Sequence, residues 1–479
     1  MLKQTLYRRA YGQFFTPRAV VAHCYELLMG LLPPTPRLLD PACGDGAFLR
    51  FAIAQSVTER HLAYGSEIDA DLVASLRADG LQVLHTDGLD PAGLPADSFD
   101  VVVGNPPFGI TTSRSEPHTP SEVLFLLRAL ELVRPGGYIA LVLPSGVLAN
   151  ESLRWVRADV LRRCTVMAVV SLPRTAFRKT GANAVCSVVV LRKAEAPPKH
   201  RAFFAIASRL SDLPAIAMSF HNHQSLAQPT MFWLPQSAAL AQRLDPAFWN
   251  PARQRVLDAM AERFPLRPLG ELIGRASLIV GDHVRPSRGE AKGPNLPYEY
   301  YQTREFLPTG YNYSMIEHCD ERAYRRLART AVQQHDILVS CAGVGGAGRG
   351  RVCLVTHRPG PSCTGDIVIV RTQRIAPHFL FQFLSSRGGR EQLLRLQNGV
   401  GTANLSADEL LQVQVPLLPS ALEHELAAGY AEVTAAHDTA MAALRMGDQA
   451  QYVRVRQHAE RLLAERIAAL EALLGLDVS

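Results

Sequence analysis

Between residues 37 and 191, short β-rich runs alternate with helical patterns, and the runs are apolar on both faces, as in VVVGN and IALVLP. A strand without a polar face needs a covering layer on each side, so these runs belong in a buried, mostly parallel sheet. Candidate strands fall at 37–39, 61–66, 81–85, 99–104, 138–143, 166–172 and 184–191, with helical patterns at 45–55, 69–78, 121–132 and 150–163. The alternation predicts a doubly wound α/β domain. A helix starting at Thr16, with Pro17 in its first position, precedes the first strand and brings Val20, Val21, Cys24, Leu27 and Leu28 to one face.

The chain has 479 residues, more than one compact domain holds. A hydrophobic fraction of 47% with 20% charged residues is ordinary for a protein with packed cores. No apolar run approaches the roughly 20 residues of a membrane-spanning helix. The N-terminal MLKQTLYRRAYGQFF lacks the apolar stretch of a signal peptide. Eight cysteines are scattered without a CxxC pair, which argues against structural zinc and fits a reducing cytoplasm.

Charge is uneven. Residues 1–200 balance at +3, residues 201–420 at +7 (24 basic, 17 acidic) and residues 421–479 at −4. The middle region is the one a polyanion prefers, although such an excess is also common on ordinary surfaces. AEAPPKH (194–200) reads as a linker or a surface loop. From about 240 the alternation becomes irregular, and from 420 the chain reads as two helices broken near Gly447, arranged as a hairpin. The expected division is 1–240, 241–420 and 421–479.

The first strand runs into DPACGDGAFL (40–49), a glycine turn that opens a helix. Such a turn lets backbone approach a ligand and exposes helix N-terminal amides, but it also serves as a plain structural turn. It is neither GxGxxG nor a P-loop. The second strand ends in SEID, with Glu67 21 residues after Gly46. A carboxylate there is placed to accept both ribose hydroxyls of a nucleoside, with Ile68 against the flat face of its base. Asp87, in HTDG after the third strand, is either an acceptor for the nucleoside's amino group or a turn residue. Three polar positions at three successive strand ends point to one ligand at the carboxyl edge of the sheet.

The fourth strand ends in NPPF (105–108). Pro106 and Pro107 remove two backbone donors and stiffen the loop. The amino nitrogen of adenine is a poor nucleophile because its lone pair is delocalised into the ring. Acceptors on the Asn105 side chain and the Pro106 carbonyl would bind both amino hydrogens and aim that lone pair at an electrophilic methyl group. Phe108 would stack on a base extruded from the duplex.

In this order FTP (15–17), DPACGDGAFL, SEID, TDG and NPPF resemble the gamma-class amino-methyltransferases of DNA. LPRTAFRKTG (172–181) is similar to the LPxxxFxxTG segment of that class and of type I modification subunits. The resemblance covers roughly 8–195 and implies a Rossmann-like S-adenosylmethionine-dependent methyltransferase domain. By similarity Thr16, Pro17, Asp40, Pro41, Ala42, Gly44, Gly46, Glu67, Ile68, Asp87 and Asn105 would bind S-adenosyl-L-methionine. Asn105, Pro106, Pro107, Phe108 and Phe177 would form the catalytic face, and no metal is implied. Gly88 departs from the class, which often has a bulkier residue there. Asn rather than Ser at 105 favours adenine over cytosine.

From about 240 the chain resembles one target-recognition unit of a type I restriction specificity subunit, through RLDPAFWNP (243–251), HDILVSCAGVGGAGRGRV (335–352) and NGVGTANLSADELLQVQVPLLP (398–419). The implied architecture is a mixed α/β domain for reading DNA, followed by spacer-like helices. Tyr298, Tyr300, Tyr301, Arg304, Arg325 and Arg326 are the candidate phosphate and base contacts, and Gly343–Gly350 reads as a hairpin turn. His283, His318 and His335 have no metal spacing. The function expected is site-specific N6-adenine methylation of double-stranded DNA in a restriction-modification or host-defence setting. RNA or protein glutamine methylation by the same loop, and a non-catalytic DNA-binding subunit, stay open. No nuclease cluster is evident, so cleavage would need a separate endonuclease. The C-terminal helices could hold that partner, support a dimer or simply brace the two domains.

Overall fold

The computed structural model describes residues 15–109, 119–178, 185–223, 230–341, 350–356, 362–396 and 405–476. The expected features at 179–181, 343–349 and 398–404 lie outside these residues. Two compact units divide at Pro251.

In the first unit, α1 (Arg18–Leu28) is followed by β1 (Leu38–Asp40), α2 (Ala47–Ala54), β2 (Ala63–Glu67), α3 (Ala70–Ala78), β3 (Gln82–His85) and β4 (Phe99–Gly104). Then come α4 (Ser121–Leu132), β5 (Val133–Pro144), α5 (Ser145–Ala149), α6 (Arg154–Arg163), β6 (Thr165–Ser171), β7 (Cys186–Arg192), β8 (Arg201–Ile206), α7 (Leu213–His221) and β9 (Met231–Pro235). The strands form one sheet in the order β3-β2-β1-β4-β5-β7-β6-β8-β9. β1 to β5 are parallel, and β7 is inserted antiparallel between β5 and β6. This is the doubly wound arrangement the alternation predicts. Its central strands are buried on both faces, between a core under α1 and α7 and another under α4 and α6.

Three local expectations change. The first helix begins at Arg18, not Thr16, because Pro17 has extended ψ (139°) and caps the helix, its carbonyl accepting from the N–H groups of Val20 and Val21. The residues expected on its apolar face are all buried. β5 begins at Val133 rather than 138: Val133 pairs with Phe99, RPGG bulges out of the register before Tyr138 pairs with Val101, and Gly136 and Gly137 exchange hydrogen bonds with Lys193. The AEAPPKH loop joins β7 to β8 within one sheet, and that sheet continues through β9, which the periodicity did not reveal. The unit also runs past 240. The buried Arg157 guanidinium donates to the carbonyls of Ala241 (2.9 Å) and Gln242 (2.7 Å), tying that segment to α6.

The second unit contains a four-stranded sheet built from Leu278–Val280, Ile337–Ser340, Val352–Leu354 and Ile367–Val370, and a three-stranded sheet centred on Tyr298–Tyr301. The tail forms helices Ser420–Gly429, Ala431–Arg445 and Gln449–Leu473 rather than two, with Gly447 at φ +78° in the break. Ala440, Met441 and Ala443 pack into the same core as Tyr301 and Tyr311, so the tail belongs to this unit. All eight cysteines are free and buried. Among the described residues no helix is long and apolar enough to cross a membrane, and no cluster of potential ligands could hold a metal.

Most of the expected DNA-contact residues are structural. Tyr300 and Tyr301 are buried, and Tyr298 stacks on Tyr324 at 4.1 Å. Arg304 pairs with Glu305 and Glu317. Arg326 is clamped by Asp282 (2.6 Å) and the buried Glu290 (2.5 Å). Hydrogen bonds from Arg326, helped by the Arg285 N–H, hold the Glu290 carboxyl down at about 2. A depressed carboxyl stabilises above its unfolded value of about 4.3 and loses that contribution as pH falls towards 2. Arg326→Met should therefore destabilise the unit by about 3 kcal/mol at pH 7 by stranding the carboxylates. Urea unfolding should show that difference persisting to about pH 4 and shrinking below it.

Candidate active site

The carboxyl ends of β1, β2, β3 and β4 place their loops side by side. The glycine turn is built first. Gly44 and Gly46 have φ +54° and +74°, and a Cβ on Gly46 would lie 2.7 Å from Leu76. Gly44 donates its N–H to Glu67 Oε2 at 2.8 Å, while Glu67 Oε1 accepts from Ile68 (2.9 Å) and Asp69 (3.0 Å). The buried Glu67 carboxylate thus fastens the turn to β2. Of roughly four acceptor sites on a carboxylate, three are in use. Taking both ribose hydroxyls would require one amide to let go, a constraint that spacing could not reveal.

Ile68, beside it, is 48% exposed, an unusual state for isoleucine and a suitable platform for a planar ring. Asp87 accepts from the Leu89 N–H at 3.0 Å, so its carboxylate also shapes the TDG turn. Gly88, the departure from the family pattern, has a local cause. A Cβ there would lie 1.9 Å from the Pro41 carbonyl oxygen, so the third loop lies directly on the first. Gly88→Ala should displace one loop, cost about 3 kcal/mol and weaken nucleoside binding. Unchanged melting temperature and affinity would contradict this contact.

The fourth loop closes on the same place. Gly104, at φ +153°, has no room for a Cβ, which would lie 2.7 Å from Asp40 Oδ1. Asp40 is almost fully buried, and burial, followed by the nearby Glu67 and Asp45 charges, pushes its carboxyl up to about 8 against the Ala42 N–H that it accepts. At neutral pH this carboxyl is therefore mostly protonated, a neutral polar group beside the glycine turn. At the entrance, the Phe15 ring lies 3.9 Å from where a Cβ on Gly44 would stand, bringing the FTP segment with Thr16 and Pro17 to the glycine turn.

Asn105 follows Gly104, with its Oδ1 buried. Beyond it the loop is held by residues that the motifs did not single out. Ser121 Oγ donates to the Pro107 carbonyl at 2.7 Å, and the buried Glu122 accepts from the Gly109 N–H at 3.0 Å. Both stand at the start of α4, where their only sequence signal was that of a helix N-terminus. Their bonds occupy the Pro107 carbonyl and fix the loop from Pro107 to Gly109. Phe108 and Phe177 are 7% and 1% exposed and share one apolar cluster. The structure places both rings in that cluster as core residues, and stacking on a base would require them to leave it.

Residues 5–215 match the family described as N-6 DNA Methylase. The chain is 25% identical over 196 residues to "Defense against restriction protein B" of Escherichia phage P1, covering 38% of this chain and 8% of that protein. It is 29% identical over 195 residues to the "Type I restriction enzyme EcoEI methylase subunit" of Escherichia coli, covering 35% of this chain and 39% of that one. The chain therefore spans well under two thirds of the curated relatives it matches. Among solved structures, the type IIL restriction-modification enzyme MmeI in complex with DNA shares the fold over 96% of this chain and 73% of its own, at TM-score 0.52 and 12% identity. The loops that meet at this sheet edge, from the glycine turn to NPPF, thus lie within the segment similar to N-6 DNA methylases.

Proposed function

We propose that this chain transfers a methyl group from S-adenosylmethionine to the N6 amino group of a flipped-out adenine in double-stranded DNA, as the modification activity of a restriction-modification or host-defence system. The observation that carries the reading is the contact of the glycine turn with the NPPF loop, Asp40 against Gly104, within a segment similar to N-6 DNA methylases. It supports a reading in which Asn105 accepts the amino group of the target base beside the bound cofactor. The residues there fit the cofactor's chemistry: exposed Ile68 for the adenine and Glu67 for a ribose hydroxyl.

S-adenosylmethionine supplies the electrophilic methyl group. Asn105 Oδ1 and the Pro106 carbonyl accept the two amino hydrogens of adenine, localising the nitrogen lone pair in line for transfer. Ser121 and Glu122 hold the loop rigid from behind. Phe108 and Phe177 leave the core cluster to close on the faces of the base. The second unit supplies target recognition, and its tail helices, or a separate endonuclease, complete the system. Single-molecule sequencing of DNA from cells expressing the protein tests this. N6-methyladenine in one defined motif is expected. A soluble, cofactor-binding protein that leaves DNA unmodified would redirect the search to RNA or protein glutamine.

A further inference from the structure

In the second unit, five arginines gather round two carboxylates. Asp282, at the end of a short strand, takes Arg326 (2.6 Å), Arg285 (2.9 Å) and, more loosely, Arg329 (3.5 Å). Glu290 takes Arg326 and accepts the Arg285 N–H at 2.8 Å. Arg326 also donates to the His283 carbonyl at 2.6 Å, so its guanidinium is fully engaged. The acidic charge here is therefore buried and spent on a clamp joining the 282–290 loop to the helix Glu321–Leu327.

The solvent side of that clamp is different. The Arg329 side chain is 75% exposed, and Arg288 and Arg322 are also exposed. Among the described residues Arg288 and Arg322 make no ion pair. Arg322 Nη1 comes within 3.0 Å of where a Cβ on Gly289 would stand, so it lies over the loop that carries Arg288. The acidic neighbours are accounted for. Glu321 pairs with Arg325, and Asp320 accepts from the Ala323 and Ala291 N–H groups. Three exposed guanidinium groups are thus presented from the 282–290 loop, the helix Glu321–Leu327 and the turn that follows it, with only the long Arg329–Asp282 contact as an ion pair among them. Guanidinium forks match phosphate oxygens.

We propose that Arg288, Arg322 and Arg329 form a contact surface for the phosphate backbone of duplex DNA, which orients the second unit without reading sequence. The assignment rests on the reading above that the chain acts on DNA. These residues differ from the aromatic and arginine set that the sequence suggested, most of which is consumed in packing or ion pairs.

The test uses the full chain and a fluorescein-labelled 30-base-pair DNA duplex, with binding measured by anisotropy across a salt series. Replacing all three residues (R288A, R322A, R329A) should weaken binding at least about tenfold at roughly 0.15 M salt and reduce the log–log salt slope by about three. S-adenosylmethionine affinity should be unchanged, and the three corresponding lysine substitutions should restore most of the slope. Wild-type affinity and slope in the alanine variant, with cofactor binding intact, would overturn the surface while leaving the methyltransferase reading standing. Tighter binding to duplex RNA of the same sequence would also overturn it. If the wild-type protein neither binds duplex DNA nor methylates it in cells, the functional reading fails and the surface fails with it.

Discussion

Asn105→Ala should lower the rate of methyl transfer to adenine by at least about 10²–10³-fold, the scale seen when one preorganised polar contact to a transition state is removed. Cofactor affinity should change little, because the cradle is built by the glycine turn and Glu67, and the loop is held from behind by Ser121 and Glu122. The measurement is single-turnover transfer from radiolabelled S-adenosylmethionine to DNA, alongside calorimetric titration of the cofactor. Lost transfer with retained binding assigns the side chain to the chemical step. Wild-type turnover would remove it from that role. Asn105→Asp sharpens the test: it keeps an acceptor of the same size but adds a negative charge, so partial activity would show that acceptance matters more than neutrality.

Glu67→Ala has a different signature. It strands three backbone N–H groups, those of Gly44, Ile68 and Asp69, at the place where the turn meets the second strand. Buried donors left without partners cost about 1–3 kcal/mol each, so thermal stability and cofactor affinity should fall together, affinity by about 10²-fold or more. Glu67→Gln separates these effects. Its amide oxygen can hold two of the N–H groups, while its NH₂ faces the third. Stability should recover in part, and affinity should recover less if a ribose hydroxyl shares the same carboxylate. Full affinity in the alanine variant would mean that Glu67 only braces the turn.

Much of the catalytic unit was legible from local pattern. Strands apolar on both faces, helices between them and polar motifs at strand ends are short-range features, and the observed strands start or end within a few residues of the expected positions at β1, β2, β4 and β7. The exceptions are instructive. RPGG has the composition of a turn, yet it lies within β5 as a bulge between Val133 and Tyr138, where Gly137 has backbone packed where a Cβ would go. The 201–235 extension carries no motif, and its strands are recognisable only from the pairing of β8 with β6 and of β9 with β8.

The second unit was less legible. YEYY read as a patch of exposed aromatics, whereas its two inner rings are core and an outer one is stacked. Which of the arginines near 322–329 is drawn into the clamp depends on the positions of Asp282 and Glu290, some 30 to 45 residues away in sequence. From the sequence alone came the class of fold, the order of the strand-end motifs and the chemistry that Asn105 can perform, because periodicity and covalent spacing act over a few residues. Only the tertiary structure decided that Gly88 has no room for a side chain, that Glu67 has most of its acceptor capacity already in use, that Ser121 takes the Pro107 carbonyl, and which arginine is drawn into the clamp. Each of these depends on a neighbour brought close through space, and the energy of a hydrogen bond or an ion pair falls away within a few ångströms of contact.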